Sequence, residues 1–112
     1  MTVSALISSL SLHVFHLADA ERSVTGGYCG DLLSWVMGRA PAGAVWMTIM
    51  SNGNVAGVAS LSDVACVLLT EGVAPDPDLL SKASEHGVTI LGCAAGTYEA
   101  AGRVAAAIEG TR

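Results

Sequence analysis

Residues 44–50 read AVWMTIM and residues 64–70 read VACVLLT, two apolar runs that each have the length of one strand. A run that is apolar at nearly every position predicts a strand buried on both faces, as in a parallel sheet. Residues 88–91, VTIL, form a third such run. Helical segments lie between and after these runs, so the order from residue 44 onward is β-α-β-α-β-α. This alternation with short connections predicts a mostly parallel sheet with right-handed crossovers.

Capping residues mark the helices of this half. The sequence Asp76-Pro77-Asp78 predicts a helix start, since Asp caps, Pro suits the first turn and a second Asp suits the positive end of the helix dipole. Gly87 is expected to end that helix. Thr97 is expected to cap the last helix. The apolar face predicted for that last helix consists of Tyr98, Ala101, Ala105 and Ile108.

The first thirty residues predict one more helix and two more strands. Apolar residues at i, i+3, i+4 and i+7 from Val3 predict a helix capped by Thr2. Residues 12–15 and 24–29 each lean towards strand, and the second segment contains Gly26 and Gly27. Paired glycines in a strand mark a bulge or a close approach of two backbones.

A further helix is predicted after these strands, capped by Asp31, running to Met37 and followed by Gly38 as the residue that ends it. The chain has 112 residues, the size of one domain. The fold class predicted for residues 1–112 is therefore a single α/β domain. It has a mostly parallel sheet of about five strands and helices on both faces.

Charge and cysteine content exclude several classes of function. Ten acidic and five scattered basic residues give a net charge of −5, so nucleic-acid or anionic-membrane binding is not expected. The three cysteines have long spacings and no C-x-x-C pair, which argues against a zinc site and favours a reducing compartment, the cytoplasm. The apolar segment 3–15 lacks a basic start and is interrupted by serines, so a secretory signal is not expected.

Ligands of open α/β sheets bind beyond the carboxyl ends of the strands. Hydroxyls, an amide, two carboxylates and several helix N-termini should form one rim there, and helix N-termini are ready anion sites. The same groups are also suited simply to cap helices and close turns, and the sequence leaves both interpretations open. The segments concerned are Cys29-Gly30-Asp31, Met50-Ser51-Asn52, Thr70-Glu71-Gly72 and Cys93 to Thr97.

No motif for catalysis is present: the chain has no P-loop, no G-x-G-x-x-G and no G-x-S-x-G. Catalytic residues, cofactors and metals are therefore not expected. Cys29 is the best-placed nucleophile, although all three cysteines are interpreted as small buried apolar residues. An enzyme would need Cys29, either His13 or His16, and either Asp31 or Glu71 to converge. The two histidines lack a third metal ligand nearby.

Residues 21–27, ERSVTGG, resemble the motif that names the DRTGG domain family, and residues 28–34, YCGDLLS, continue the likeness. Glu21 stands where the family motif opens with Asp, which puts a strict geometric role for that position in doubt. The resemblance spans roughly residues 2–109. Its later matches are Thr70-Glu71-Gly72, Pro75-Asp76 and Thr97-Tyr98-Glu99-Ala100-Ala101.

The resemblance implies a fold like the N-terminal domain of HPr kinase/phosphorylase, without the P-loop domain that carries the kinase chemistry of that family. It implies a non-catalytic regulatory or assembly module and a homodimer. Similar domains accompany nucleotide-binding CBS domains in some pyrophosphatases or occur beside hydrogenase-type genes of anaerobes. A protein partner in an anaerobic redox or regulatory complex is therefore a further expectation.

The motif residues also have a direct physical interpretation. Arg22 is suited to hold a carboxylate or a ligand anion, Thr25 to satisfy a backbone group, and Gly26 and Gly27 to allow positive φ or close contact. The alternative to an assembly module is a sensor that binds a nucleotide or another small anion. The ligand-binding residues expected are Arg22, Thr25, Gly26, Gly27, Asp31, Ser51, Asn52, Thr70, Glu71 and Thr97.

Overall fold

The structure, a computed structural model, describes residues 1–111, in which strands and helices alternate from residue 26 onward. The strands are β1 (His13–His16), β2 (Gly26–Cys29), β3 (Ala44–Thr48), β4 (Cys66–Leu69) and β5 (Ile90–Gly92). The helices are α1 (Val3–Leu10), α2 (Leu33–Arg39), α3 (Asn54–Ser62), α4 (Pro77–His86) and α5 (Thr97–Glu109).

The strands form one sheet in the order β1-β5-β4-β3-β2. β2, β3, β4 and β5 are mutually parallel, whereas β1 pairs antiparallel with β5 and its register shifts between Val14 and His16. The predicted mostly parallel five-stranded sheet is confirmed. β1 and β2, the two strands of the N-terminal part, are its edges.

Helices cover both faces of the sheet, as the sequence predicts. Every residue of β3 and β4 is buried, and successive side chains point to opposite faces. Val45 and Met47 pack with α1 and α5 on one face, while Trp46 and Val67 pack with α2, α3 and α4 on the other. Trp46 is fully buried, and its Nε1 donates to the carbonyl of Gly30 at 2.9 Å.

Several predicted helix boundaries are confirmed. The Thr2 hydroxyl accepts from the Ala5 N–H at 3.1 Å. Pro77 is the first residue of α4, and Gly87 ends that helix with a φ of +67°. Asp76 occupies the N-cap position without a side-chain capping bond, since its carboxylate accepts instead from the Ser51 hydroxyl at 3.2 Å.

The predicted ends of α2 are wrong. Leu32, not Asp31, is its N-cap residue, and Gly38 lies inside the helix, which runs to Arg39. The Asp31 carboxylate instead accepts from the Thr48 hydroxyl at 2.8 Å and from the Ile49 N–H at 3.1 Å. Asp31 therefore accepts hydrogen bonds from residues at the end of β3. The local sequence around position 31 does not indicate these partners.

The predicted start of α5 and part of its apolar face are also wrong. Thr97 is the first helical residue and Gly96 is the N-cap. Tyr98 is 94% exposed, because the buried face is set by Ala100, Val104 and Ile108. A residue two positions before Ala100 lies about 200° around the helix, on its outer side.

No helix within residues 1–111 combines the length and the apolar character that crossing a bilayer requires.

Candidate functional site

The structure brings six of the ten predicted binding residues to the carboxyl edge of the parallel strands. Each lies in the segment that directly follows one of the strands β2 to β5, or begins the helix after it. The six residues at this rim are Asp31, Ser51, Asn52, Thr70, Glu71 and Thr97.

Glu71 closes the N-terminus of α5. Its Oε2 accepts from the Thr97 N–H at 3.0 Å, and the hydroxyls of Thr70 and Thr97 share a hydrogen bond of 2.7 Å. Glu71 adopts a left-handed backbone, with a φ of +61°. A carboxylate of the chain itself thus occupies the place where a helix N-terminus would receive an anion.

The other rim residues also bind groups of the chain. Asp31 holds the end of β3, and the Ser51 hydroxyl donates to Asp76. The Asn52 side-chain oxygen accepts from the Asn54 N–H at 2.9 Å, in the turn that begins α3. These contacts are those of groups that cap helices and close turns, and a ligand anion would have to displace carboxylates from their donors.

Arg22 and Thr25 lie at the opposite, amino edge of the parallel strands. Arg22 donates from Nη1 to Asp63 Oδ1 at 2.8 Å and from Nη2 to the Asp63 carbonyl at 2.9 Å. The Thr25 hydroxyl donates to the Ala42 carbonyl at 3.0 Å. The structure therefore does not bring these two motif residues together with the rim, and both fasten turns that precede strands.

The Arg22–Asp63 pair sits in a polar recess of about 150 Å³, lined also by Asp19, His86 and Thr89. The hydrogen bond from Arg22, and then its charge, lower the pKa of Asp63. The hydrogen bond to Asp63 raises the pKa of Arg22. Asp63 ends α3 in a left-handed conformation with a φ of +56°. Asp63 was not identified from the sequence. The only feature that could have indicated it is its position directly after a predicted helix.

Gly26 and Gly27 lie in edge strand β2, beside a groove of about 280 Å³ between β2 and α5. Neither glycine has a positive φ. A Cβ on Gly27 would lie 3.0 Å from Met47 Cε, the flexible end of a side chain that would have to shift slightly, whereas a Cβ on Gly26 would meet no atom within 4 Å. The other groove residues are Cys29, Met47, Ala101, Val104, Ala105, Ile108 and Glu109.

The residues that an enzyme would need do not converge. Cys29 ends β2, whereas His13 and His16 lie on β1 at the far edge of the sheet, four strand spacings or about 19 Å away. The Nδ1 of His16 is hydrogen-bonded to the Val88 carbonyl at 2.9 Å. Within residues 1–111, no group of three or more His, Cys, Asp or Glu side chains is arranged to hold a metal ion.

The cysteines differ in exposure, so the expectation that all three are buried is correct only for Cys66. Cys29 is exposed and Cys93 is half-buried. Burial raises the pKa of the Cys66 thiol to about 12. Burial also raises the pKa of Cys93, and for Cys29 the nearby Asp31 charge adds to that effect. Thiols in such surroundings are protonated, weak nucleophiles at neutral pH.

Comparison with known families gives a match to the DRTGG domain over residues 43–107. The chain belongs to the DRTGG domain family. The match begins after the ERSVTGG segment, and it covers three of the four parallel strands and the helices that follow them. The family predicted from the sequence is confirmed.

A solved structure with the same fold contains the CBS and DRTGG domains of the regulatory region of a Clostridium perfringens pyrophosphatase, complexed with its activator diadenosine tetraphosphate. The TM-score is 0.73 at 10% sequence identity, over 96% of this DRTGG chain. The chain spans 46% of the length of that structure. Comparison with curated proteins gives no match.

Proposed function

We propose that this DRTGG protein is a non-catalytic regulatory or assembly module that works as a homodimer. One observation carries the proposal. The polar and charged side chains that could take part in chemistry form hydrogen bonds within the chain, while apolar surface is left exposed. Leu32, Trp35 and Met37, on or beside α2, are each more than half exposed, and an apolar groove lies beside β2. Exposed apolar surface of this kind is typical of protein contacts.

Sedimentation velocity on the purified chain tests the homodimer. We expect a species of twice the chain mass at tens of micromolar and a shift towards monomer on dilution. A chain that stays monomeric at tens of micromolar contradicts the proposal.

We propose as a second candidate a sensor of a small anion such as a nucleotide. The likeness to a regulatory region complexed with diadenosine tetraphosphate supports it. Thermal-shift measurements with diadenosine tetraphosphate, ATP, AMP and metabolic acids test it, since a ligand that binds only the folded state must raise Tm. No shift with any of these compounds contradicts it.

The geometry of Glu71 allows a sharper test of where the anion binds. Glu71→Ala removes the carboxylate from the Thr97 N–H, so an anion that binds at this helix N-terminus should raise Tm more in the variant than in the wild type. Glu85→Ala removes an exposed carboxylate from α4 and is the matched control. An equal shift in both variants places the anion elsewhere.

The remaining parts of the proposal rest on the family resemblance, for the domain and the protein partner, and on composition, for the other properties. The chain of 112 residues forms one DRTGG-like domain, acts in the cytoplasm, needs no cofactor, and does not bind nucleic acid or membrane. A protein partner in an anaerobic redox or regulatory complex would bind the homodimer. Co-expression with a candidate redox partner, followed by gel filtration, tests that association.

A further inference from the structure

The two edges of the sheet differ in how they are protected. β1 has a register irregularity between Val14 and His16, and irregular pairing blunts an edge strand against further pairing. β2 is regular: its four residues pair in unbroken register with β3, from Gly26 opposite Ala44 to Cys29 opposite Met47. β2 contains no proline and no charged side chain. The N-terminus already pairs with the residues before β2, through the Thr2–Ser23 bridge and the bond from the Val24 N–H to the Met1 carbonyl, so the open backbone donors and acceptors are confined to β2 itself.

Apolar surface borders β2 on one face of the sheet, and on the other face the helix that follows β2 carries exposed apolar residues. On one face lies the groove beside α5, where Ala101 and Ala105 are small enough to let another helix approach. On the other face lies α2, which follows β2 directly in the chain. Trp35 of α2 is 53% exposed. The guanidinium carbon of Arg39 lies over the Trp35 ring, 3.8 Å from the ring centroid. Tryptophan and arginine are the residues that dominate the centres of protein interfaces.

We propose that β2 is the self-association surface, and that a second copy of this chain pairs with it in antiparallel fashion across a two-fold axis. This inference rests on the proposed homodimer and gives it a location. A two-fold axis perpendicular to the sheet sets β2 against β2 of the second copy and joins the two sheets into one of ten strands. The same axis sets α5 beside α5 and α2 beside α2.

Charge favours a second copy at this edge. The chain carries a net charge of −5, so two copies repel each other wherever acidic side chains face one another. The sequence of β2, Gly26-Gly27-Tyr28-Cys29, brings no charged side chain opposite its symmetry mate. The paired strands thus meet through uncharged backbone, and Glu109 is an acidic residue that lines the adjoining groove.

The size of the interface requires the helices. A strand of four residues is about 13 Å long, and its ladder alone covers far less than the roughly 800 Å² per partner of a standard interface. The groove beside α5 and the exposed face of α2 supply the remaining area. Side chains on α5 that face the groove should therefore affect dimerisation as strongly as β2 itself.

Two substitutions test the surface without disturbing the single chain. Ala105 is exposed and lines the groove, so Ala105→Glu brings a carboxylate into the interface. Ala106 is exposed on the same helix but lies beside α1, so Ala106→Glu is the matched control. We expect Ala105→Glu to raise the Kd of the dimer by more than about tenfold and Ala106→Glu to leave it unchanged.

A second pair acts on the strand edge. A Cβ on Gly26 meets no atom within 4 Å, so Gly26→Lys fits the fold and places a lysine on the edge, a natural device against edge pairing. Gly57→Lys adds the same charge at an equally open position of α3 and should not affect the Kd. Circular dichroism and thermal melting verify that all four variants are folded.

The outcomes separate this inference from the function on which it rests. Monomeric Ala105→Glu and Gly26→Lys with dimeric controls support the β2 surface. A wild-type dimer that both substitutions leave intact overturns the β2 surface but keeps the homodimer. A wild-type chain that is monomeric at tens of micromolar overturns both.

Discussion

Gly43 shows why the threonine of the Thr25-Gly26-Gly27 motif needs a glycine elsewhere in the chain. Gly43 has a φ of +80°, and a Cβ on it would lie 2.7 Å from the Thr25 hydroxyl. Thr25 accordingly donates from its hydroxyl to the Ala42 carbonyl and from its N–H to the Gly43 carbonyl. The motif threonine packs directly on the turn that leads into β3.

We predict that Gly43→Ala destabilises the fold by more than about 1 kcal/mol, because the left-handed conformation disfavours an L side chain and Thr25 must also move. Gly57→Ala is the matched control with the opposite expected sign. It lies inside α3, its Cβ is unobstructed, and alanine there should stabilise by about 0.5–1 kcal/mol. Urea unfolding measures both, and equal effects of the same sign would refute the assignment.

At the scale of elements, the segment before β2 works as a clamp on two crossover turns. Thr25 holds the turn between α2 and β3, and Arg22 holds the turn between α3 and β4 through Asp63. Arg22 and Thr25, two residues of segment 21–27, thus make structural hydrogen bonds at the amino edge of the strands. Ligand binding was expected at this loop together with the neighbouring strand ends, but the rim lies at the other end of the strands.

The clamp predicts a dependence of stability on pH. Because Arg22 lowers the pKa of Asp63 below the ordinary value of an aspartate, the pair stabilises the fold fully above that ordinary value. The contribution is lost as the pH falls through the lower folded-state pKa. Carboxylates titrate in about the range from pH 5 to pH 3. Over this range, we expect the Tm of the wild type to fall by more than the Tm of Asp63→Asn.

Asp63→Asn is suited to this comparison because asparagine tolerates the left-handed conformation of position 63. Arg22→Gln should remove the same pH dependence, because it removes the cation that lowers the pKa of Asp63. Parallel Tm curves for the wild type and both variants over this pH range would show that the ion pair does not contribute.

The helix and strand elements were predictable, whereas several of their ends were not. Unbroken apolar runs and capping signals are local properties, and they correctly indicated β3, β4, α1 and α4. Asp31 and Thr97 looked like helix caps for the same local reason. In the fold, Asp31 binds a strand end 18 residues away, and the cap of α5 comes from Glu71, 26 residues before Thr97.

At the scale of the whole molecule, Cys66 reports on the opening of the core. It is fully buried in β4 between α1 and α5 on one side and the sheet on the other, and burial raises its thiol pKa to about 12. Cys29 is exposed at the edge of the same sheet. The two thiols therefore sample a buried and an exposed position of the same sheet.

We predict that a maleimide labels Cys29 in the native protein, whereas Cys66 reacts only through global unfolding. Mass spectrometry of peptides after timed labelling in increasing urea measures both rates. The rate at Cys66 should rise with urea in parallel with the unfolding constant. Native-state labelling of Cys66 at a rate similar to that of Cys29 would mean that the core opens locally.

By itself, the sequence determined the α/β class, the parallel direction of the C-terminal strands and the DRTGG family, because apolar periodicity and short motifs are properties of contiguous residues. Only the tertiary structure decided which chemistry-bearing groups meet. The strand order separates Cys29 from His13 and His16. Arg22 lies before β2 and Thr70 and Glu71 lie after β4, so they are at opposite ends of the parallel strands. The arrangement of the strands depends on the packing of the whole chain. The residues expected to form one site therefore lie in three places: the rim, where they cap helices, the clamp before β2, and the open edge at β2.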